Sequence, residues 1–451
     1  MGKRIKNFIL LLLQRLWITM ELFSKNGLVN HAAAGAFGLL FAAAPALLFI
    51  SFFVYRAFAA YPELTVGLFQ SNSFLSGVIN LSDLINNYLN YSGPGLAGII
   101  SAVAILWTVF ICALSIQRGL LVIFSRSRSK PIRKSAMTLV LAFIIILFIF
   151  ISLLGSRLAV YFHNFIGFSL FGPFSSTILA LPVRIISIVY LPLMTLVAYR
   201  FVPPVPPKMK HIIPGVAICI ILYQIFSTGF SLIIGPDRYN LLYGTLGRLF
   251  LFLINIYFFF WFFFYGAQMI MTLHHSDVLL FIRFRYAYNK KITDEFSGKE
   301  RLPGNFFNLV KSLPRLSMAV KETLFRNIPE PLKKYLRTYR EGATVFQKGS
   351  KGHSVYYVIS GDAGVYLDSE LQNRITTVKP GYFFGITEII TPEGRANSLK
   401  AETDLTVMKL PSGLFYSILK MDPDTDQNIM KTLSERIKTL NKRVMGTSPR
   451  K

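Results

Sequence analysis

Apolar runs long enough to cross a lipid bilayer occur six times in the first 273 residues. They cover residues 30–54, 95–124, 135–162, 176–201, 211–234 and 243–273. Each run is apolar on all sides, and about 20 helical residues suffice to cross roughly 30 Å of hydrocarbon. Because lipid offers the backbone no hydrogen-bond partner, the pattern predicts an α-helical bundle of six transmembrane helices.

Beyond residue 273 the period of the pattern changes. From Tyr339 onward apolar and polar residues alternate, and Gly and Pro punctuate the stretches TVFQKG, SVYYVISGDAGVYL and NRITTVKPGYFFG. This pattern is typical of short antiparallel strands and predicts a C-terminal β-roll of the jelly-roll type. Helices are predicted over 274–291, over 306–325 with a break at Pro314, and over 425–444. The predicted parts are a transmembrane domain (1–273), a helical linker (274–319) and the roll (320–451).

The first 25 residues combine charge and apolar residues differently from the six runs. Lys3, Arg4 and Lys6 precede the apolar segment 8–13, which Gln14 and Arg15 interrupt. We interpret this segment as an interfacial amphipathic helix with its basic face on the cytoplasmic leaflet. A signal peptide is the alternative, although the apolar run is short and no clean cleavage pattern follows it.

Charge is distributed unevenly along the chain. The net charge is +26, and only five of the 22 acidic residues precede residue 291. Basic residues cluster in alternate loops: Lys3, Arg4, Lys6, Arg15 and Lys25, then Arg126, Arg128, Lys130, Arg133 and Lys134, then Arg200, Lys208 and Lys210. By the positive-inside rule, both termini are predicted to be cytoplasmic, and this topology explains the basic charge better than binding to nucleic acid does.

Composition narrows the class of protein further. Hydrophobic residues make up 53% of the chain and 41 residues are Phe, which is too apolar for an ordinary soluble protein. Cys112 and Cys219 both lie inside apolar runs, so neither a disulfide framework nor a zinc site is expected.

Polar side chains within the apolar runs are candidates for function. Arg184, Arg248 and Gln268 stand at membrane depth, where a charged or polar group is costly unless it faces a cavity or a partner. Arg184 is the strongest candidate for contact with an anionic substrate. The alternatives for it are snorkelling toward an interface and pairing with backbone carbonyls.

Small residues dominate the start of the first run. Residues 32–36 read AAAGA, Gly38 follows, and Ala42–Ala44 precede Pro45. Such residues let a neighbouring helix backbone approach closely. Helix packing is the favoured interpretation and a substrate path the alternative.

Three blocks of the membrane half resemble the YihY/BrkB family of bacterial inner-membrane proteins. They are AAAGAFGLLFAAAPALLFI, VPPVPPKMKHIIPGVAICIILYQIFSTGFSLII and YGTLGRLFLFLINIYFFFWFFFYGAQM, and the resemblance covers residues 5–285. It implies an inner-membrane location and transport of a lipid or envelope component. Many members have Glu where this chain has Gln268. Members have also been labelled as ribonucleases, but the scattered acids and the single pair His274–His275 do not form a nuclease site.

Residues 320–445 resemble a cyclic-nucleotide-binding domain. The segment Phe384–Ala401 fits its FGE(L)AL…R-A-A-T-V-x-A pattern, which implies phosphate contacts from Gly385 and Arg395, with Ala396 and Ser398 also fitting. In the family, a glutamate accepts a hydrogen bond from the ribose 2′-hydroxyl, and this chain has Ile386 at that position. Glu388 lies two residues later, which on a helix turns it about 200° away from the position of Ile386. The domain is therefore expected either to bind a cyclic nucleotide or related phosphate ligand, with Ala396 favouring cyclic AMP, or to be structural.

Taken together, the two resemblances imply a non-enzymatic membrane transporter or exporter of a lipid or envelope component, with a cytoplasmic domain that senses a cyclic nucleotide. The alternative is a membrane-anchored sensor or scaffold without transport, in which the roll is structural. The expected partners are the lipid bilayer and a cyclic nucleotide; no metal and no nucleic acid are expected, and homo-oligomerisation stays open.

Overall fold

The computed structural model describes most of the roll and about half of the membrane region. The described ranges are 2–41, 96–124, 191–203, 206–233, 236–297, 324–387 and 394–423, with a few helical residues between 425 and 434. The chain forms two compact units, Trp17–His274 and the combination of Met1–Leu16 with His275–Lys451. The assignment of the first 16 residues to the C-terminal unit has no counterpart in the hydrophobic pattern.

The described ranges between residues 17 and 274 are almost entirely helical. The helices are α1 (Gly2–Lys25), α2 (Leu28–Phe41), α3 (Leu96–Phe124), α4 (Leu191–Phe201), α5 (Met209–Ile233) and α6 (Pro236–His274). Three segments in these ranges are long and apolar enough to cross a membrane: Arg4–Lys25, Met209–Phe230 and Leu253–His274. The predicted run 135–162 and most of 30–54 and 176–201 lie outside the described residues. Apolar helices are thus confirmed, while their number, six, stays a prediction.

Helix α6 is longer than the sequence pattern predicts. It begins at Pro236 rather than at Tyr243 and continues for 39 residues to His274. Proline is tolerated in the first turn because the N–H that it lacks has no partner there in any helix. Gly244 and Gly247 both lie inside this helix.

Helices α5 and α6 approach each other at a pair of glycines. A Cβ at Gly266 would lie 2.6 Å from the carbonyl oxygen of Gly215, and a Cβ at Gly215 would lie 2.9 Å from that of Gly266. Beside this crossing, the Tyr199 hydroxyl of α4 donates a hydrogen bond of 2.6 Å to the Phe263 carbonyl. Small residues therefore bring the backbones into contact, as is common in membrane bundles.

Small residues of α2 also pack closely. A Cβ at Gly35 would lie 3.1 Å from the ring of Phe260, and Ala32 and Ala36 are buried. These contacts favour the packing interpretation over a substrate path for residues 32–36. The remainder of that stretch, residues 42–45, lies outside the described residues.

The described part of the roll forms eight short strands. They are β1 (Leu336–Tyr339), β2 (Thr344–Phe346), β3 (Ser354–Ser360), β4 (Ala363–Tyr366), β5 (Arg374–Val378), β6 (Phe383–Phe384), β7 (Ser398–Ala401) and β8 (Leu405–Pro411). They form two four-stranded antiparallel sheets in the orders β1-β8-β3-β6 and β2-β7-β4-β5. Inward side chains such as Val358, Leu399 and Val407 are fully buried in the core. The predicted antiparallel roll is confirmed.

Helical elements flank the roll, and the structure gives the bounds of three of them. They are α7 (Ser276–Ser297), a 3₁₀ helix (Glu330–Tyr335) and α8 (Ser412–Met421). The predicted helix after residue 273 is therefore confirmed. The predicted helices 306–325 and 425–444 lie largely outside the described residues.

Aromatic contacts hold α7 against the roll. The ring of Phe281 in α7 lies 5.4 Å from that of Tyr357 in β3 and 6.1 Å from that of Phe383 in β6. The ring of Phe383 in turn contacts that of Phe415 in α8 at 5.6 Å. Phe383 therefore links α7 and α8, and it precedes Gly385 by two residues.

Polar contacts fix the same helix more specifically. The Tyr288 hydroxyl donates to the Ile359 carbonyl, and the Tyr357 hydroxyl donates to Asn289 Oδ1 at 2.9 Å. Arg285 Nη2 lies 3.1 Å from Asp422 Oδ2, and the two side chains are only 9% and 14% exposed. An almost buried ion pair thus joins α7 to the residue that follows α8.

Candidate ligand site in the C-terminal roll

Gly385 and Arg395, the two residues that sequence analysis assigns to phosphate contact, lie together. Gly385 follows β6 with φ of +75°, and its carbonyl accepts from Arg395 Nη1 at 3.3 Å. Arg395 Nη2 donates to the Ser354 carbonyl at 2.8 Å. The guanidinium is therefore anchored to the ends of two strands of one sheet, β3 and β6.

Aromatic rings hold the Arg395 side chain in place. Its guanidinium carbon lies 4.2 Å from the ring centroid of Phe346 and 5.5 Å from that of Tyr356. Arg395 is only 3% exposed. Burial raises the pKa of Tyr356 above its ordinary value, while the positive charge of Arg395 opposes the rise. Tyr356 is therefore neutral at physiological pH and faces the cation with an uncharged ring.

Glycines leave room for this guanidinium. A Cβ at Gly352 would lie 2.7 Å from Arg395 Nη2 and 2.9 Å from Nε. A Cβ at Gly385 would collide with Nη1, and the positive φ there is itself unfavourable for other residues. Both positions therefore require glycine if the arginine is to keep this orientation.

The backbone of Arg395 is fixed as well. Its N–H donates to the Ser350 carbonyl at 3.0 Å, and its carbonyl accepts from the Gly349 N–H at 2.7 Å. The loop between β2 and β3 thus holds the arginine from both sides. The arginine is therefore fixed by contacts within the protein, and a fixed donor reduces the entropy that binding costs.

Ser398 and Ala396 have different surroundings. The buried Ser398 hydroxyl donates to the Asp368 carbonyl at 2.7 Å and accepts from the Lys348 N–H at 2.9 Å. Its contacts join two loops. Ala396 is exposed beside Arg395, so its methyl group contributes no polar contact of its own.

Ile386 lies where a ribose-binding glutamate is expected from the family pattern. Its side chain is 8% exposed, so an apolar group is buried next to Gly385. A hydroxyl facing it would have no acceptor from this residue. Glu388, the nearest carboxylate along the chain, lies outside the described residues.

The candidates in the membrane half have different positions in the structure. Arg184 lies outside the described residues, and Arg248 lies within α6. Gln268 is 1% exposed and accepts from Asn26 Nδ2 at 3.1 Å through its Oε1. Its role as a substrate contact stays a prediction.

Gln268 belongs to a polar seam between α1 and α6. Thr272 Oγ1 donates to the Gln268 carbonyl at 3.0 Å, and Thr19 Oγ1 lies 3.1 Å from both Thr272 Oγ1 and Met269 Sδ. Paired polar groups of this kind join helices in an apolar surrounding. Among the residues that the structure describes, no group of three or more His, Cys, Asp or Glu side chains could hold a metal ion.

The residues that surround the Arg395 guanidinium were not predicted from the sequence. Phe346, Gly352, Ser354 and Tyr356 lie about 40 to 50 positions before Arg395 in the sequence, and only the fold brings them to it. The alternating pattern gave their strands but not which side chains meet. Asn26 was likewise missed, because it lies 242 positions from Gln268.

Comparison with known proteins gives partial matches. The chain is 35% identical over 81 residues to a cAMP-dependent protein kinase regulatory subunit of Colletotrichum orbiculare, covering 18% of this chain and 20% of that protein. It is 27% identical over 100 residues to a cyclic nucleotide-gated potassium channel of Mesorhizobium japonicum, covering 22% and 27%. Among solved structures, the catabolite activator protein of Thermus thermophilus is 23% identical, with coverage of 24% and 52% and a TM-score of 0.22. The matched segment therefore spans 20% of the length of the kinase subunit and 27% of the length of the channel.

Two family profiles match the chain. The profile described as "Cyclic nucleotide-binding domain" matches residues 336–422, which include Gly385 and Arg395. The profile described as "Virulence factor BrkB" matches residues 19–280. Since this second match spans more than half of the 451 residues, the chain belongs to the virulence factor BrkB family of membrane proteins and carries a cyclic nucleotide-binding domain after it.

Proposed function

We propose that this protein is a membrane transporter or exporter whose activity is set by a cyclic nucleotide bound in its C-terminal roll. The observation that carries the regulatory part is the buried Arg395 guanidinium, held beside Gly385 and over the ring of Phe346. A cation so desolvated favours an anionic partner over neutral carbonyl oxygens. A phosphate diester is the ligand that such a fork recognises.

The names of the matched relatives support a cyclic nucleotide as the phosphate ligand. One is a cAMP-dependent kinase subunit and another a cyclic nucleotide-gated channel. Cyclic AMP is the favoured ligand on the strength of Ala396, where guanine-selective sites often carry Thr. Ile386 cannot accept the ribose hydroxyl, which lowers the expected affinity by about 1 to 3 kcal/mol, or up to roughly a hundredfold.

Helix α7 is the proposed route from the roll to the membrane unit. It begins at Ser276, directly after α6 ends at His274, and its Phe281 contacts Phe383 next to the ligand site. A ligand alters the membrane unit only if it binds one conformation of this contact better than another. The contact between α7 and the roll is where a difference in ligand affinity between two conformations would act on the membrane unit.

The membrane part of the proposal concerns a lipid or another envelope component in a bacterial inner membrane, with both termini cytoplasmic. Family membership, the apolar helices and the positive-inside distribution of basic residues support this arrangement. The protein is proposed to be non-enzymatic and not to bind nucleic acid; self-association is compatible with it. Lipid movement in proteoliposomes, measured by dithionite quenching of a fluorescent phospholipid, tests transport.

A second candidate function is a membrane-anchored sensor or scaffold without a transport path. The tight seam around Gln268 favours it, because that residue is 1% exposed and paired with Asn26. Proteoliposomes that sense nucleotide but do not accelerate lipid movement would support this candidate and exclude transport of that lipid.

The ligand site is tested by calorimetric titration of the full-length protein in nanodiscs with cyclic AMP and cyclic GMP. We expect saturable binding, and we expect Arg395→Ala to weaken it about tenfold or more, since hydrogen bonds to a charged group contribute roughly 1.5 to 3 kcal/mol. Arg374→Ala is the matched control, because Arg374 is 52% exposed and pairs with Glu402. No saturable heat at millimolar nucleotide would exclude the sensor.

A further inference from the structure

A cavity lies between three segments of the C-terminal unit. It has a volume of about 440 Å³ and is bounded by the first half of α1, by Phe284 and Tyr288 of α7, and by residues 326–333. Asn7, Leu10, Leu11 and Gln14 line it from α1, a spacing that places them on one face of the helix. None of these residues belongs to the Arg395 site.

The cavity has an apolar floor and a polar rim. Phe284, Pro329 and Ile359 are buried in its floor, and Arg326, Asn327, Glu330 and Lys333 are exposed at its rim. Lys333 pairs with Glu330 at 2.5 Å, so these two charges offset each other. Arg326 forms no hydrogen bond or ion pair with the residues that the structure describes, and it leaves the rim with a net positive charge.

The face of α1 opposite the cavity is apolar and exposed. Its side chains Ile5, Phe8, Ile9, Leu12 and Leu13 are 40% to 67% exposed. The inner face instead contacts protein: Gln14 Nε2 donates to the Leu324 carbonyl at 2.7 Å, and Arg15 Nε donates to Ser276 Oγ at 3.2 Å.

A helix with one apolar exposed face and one protein-bound face fits the membrane interface. Such a helix buries its apolar side about 5 to 10 Å into the boundary between headgroups and acyl chains. Lys3, Arg4 and Lys6 at its start favour an anionic surface. The cavity on its inner face then opens at the level of the phospholipid headgroups.

We propose that this cavity binds one anionic phospholipid, with its phosphate at Arg326 and part of an acyl chain on the apolar floor. The net positive rim matches the phosphate, and Leu11, Phe284 and Ile328 match the chain. The bound lipid contacts Tyr288, whose hydroxyl donates to the Ile359 carbonyl, so it bridges α1, α7 and strand β3. The site is independent of nucleotide binding and makes the roll responsive to lipid composition.

The test uses the full-length protein in nanodiscs of phosphatidylcholine that contain a phosphatidylglycerol with a photoreactive diazirine on its acyl chain. After illumination, mass spectrometry maps the labelled peptides. We expect labels within residues 7–14, 284–288 or 326–333, and we expect Arg326→Glu to reduce them about fivefold or more. Arg340→Glu, the same charge change at another exposed arginine, should leave them unchanged.

Three results would overturn the proposal. They are the absence of labelled cavity peptides, an equal loss of label in both charge variants, and displacement of the label by millimolar inorganic phosphate, which would indicate a soluble anion as ligand. Ile328→Ser provides a second variant that should reduce labelling without altering charge. Arg395→Ala should not change the labelling, so failure of the lipid site and failure of the nucleotide site are distinguishable.

Discussion

Arg395 keeps its orientation because glycine, which has no side chain, stands at the positions where a Cβ would collide with its guanidinium. Its guanidinium is stacked on Phe346 and bonded to two strand ends, and Gly352 borders it on one side. A planar guanidinium recognises a phosphate through parallel N–H groups, so its orientation matters as much as its charge. The orientation of Arg395 therefore depends on Phe346 and Gly352 as well as on its own hydrogen bonds.

Gly352→Ala tests this dependence. The new methyl group would lie 2.7 Å from Arg395 Nη2 and displace the guanidinium, so we expect cyclic AMP affinity to fall about tenfold in nanodisc titrations. Gly413→Ala is the control, because a methyl group there meets no atom within 4 Å and alanine suits the helix α8. Unchanged affinity in a folded Gly352→Ala protein would show that Arg395 orientation does not control binding.

At the scale of elements, α7 is held on the roll by rings and by one almost buried ion pair. The Arg285 guanidinium lies 5.9 Å from the Phe383 ring as well as 3.1 Å from Asp422. Its Nε atom is buried and has no hydrogen-bond partner among the residues that the structure describes. The pair is therefore specific but incompletely satisfied, and loss of either partner leaves a buried charge.

The ion pair gives a stability prediction. Arg285→Met and Asp422→Asn should each destabilise the C-terminal unit by about 3 kcal/mol, because each leaves the other charge buried and unpaired. The double variant should lose less stability than the sum of the two single losses, and the difference should be about 1 kcal/mol or more. Thermal unfolding of the full-length protein measures all three.

The exposed pair of Arg374 and Glu402 provides the comparison. Its arginine is 52% exposed, so Arg374→Met should cost under about 1 kcal/mol. Additive losses at Arg285 and Asp422 would mean that their contact does not hold α7 to the end of α8.

At the scale of the whole molecule, the sequence predicted what local patterns encode. The strands were predicted from the alternation of apolar and polar residues. Gly385 and Arg395 were assigned from the resemblance of one contiguous segment, Phe384–Ala401, to a family pattern. Other features depend on contacts between positions that are distant in the sequence. They are the contact of Arg395 with the Phe346 ring, the hydrogen bond of Gln268 with Asn26, and the association of residues 1–16 with the C-terminal unit. Such contacts are set by the fold, and alternation or apolar length carries no information about them.

The start of α6 lies outside the apolar run for a related reason. Asp237, Arg238 and Asn240 are polar, so the apolar pattern begins only at Tyr243, whereas the helix already begins at Pro236. Apolar length predicts where a chain can cross a bilayer, and it does not predict where the helix itself starts.

The last prediction concerns coupling between the ligand site and α7. Phe383 lies two residues before Gly385 and contacts both Phe281 of α7 and Phe415 of α8. A ligand that shifts Gly385 should therefore change the packing of α7. We expect cyclic AMP to alter hydrogen exchange in peptides from residues 276–297 and from the end of α6, measured on the full-length protein in nanodiscs.

The pattern of exchange across variants separates the two candidate functions. Arg395→Ala should abolish every change, because it removes binding itself. Phe281→Ala should preserve binding and the changes in the roll but lose those in α6, since it removes the ring contact through which α7 responds. A ligand can shift the membrane unit only through such differential contact. Changes confined to residues 336–422 would therefore contradict coupling and favour a roll that senses ligand without controlling the membrane unit.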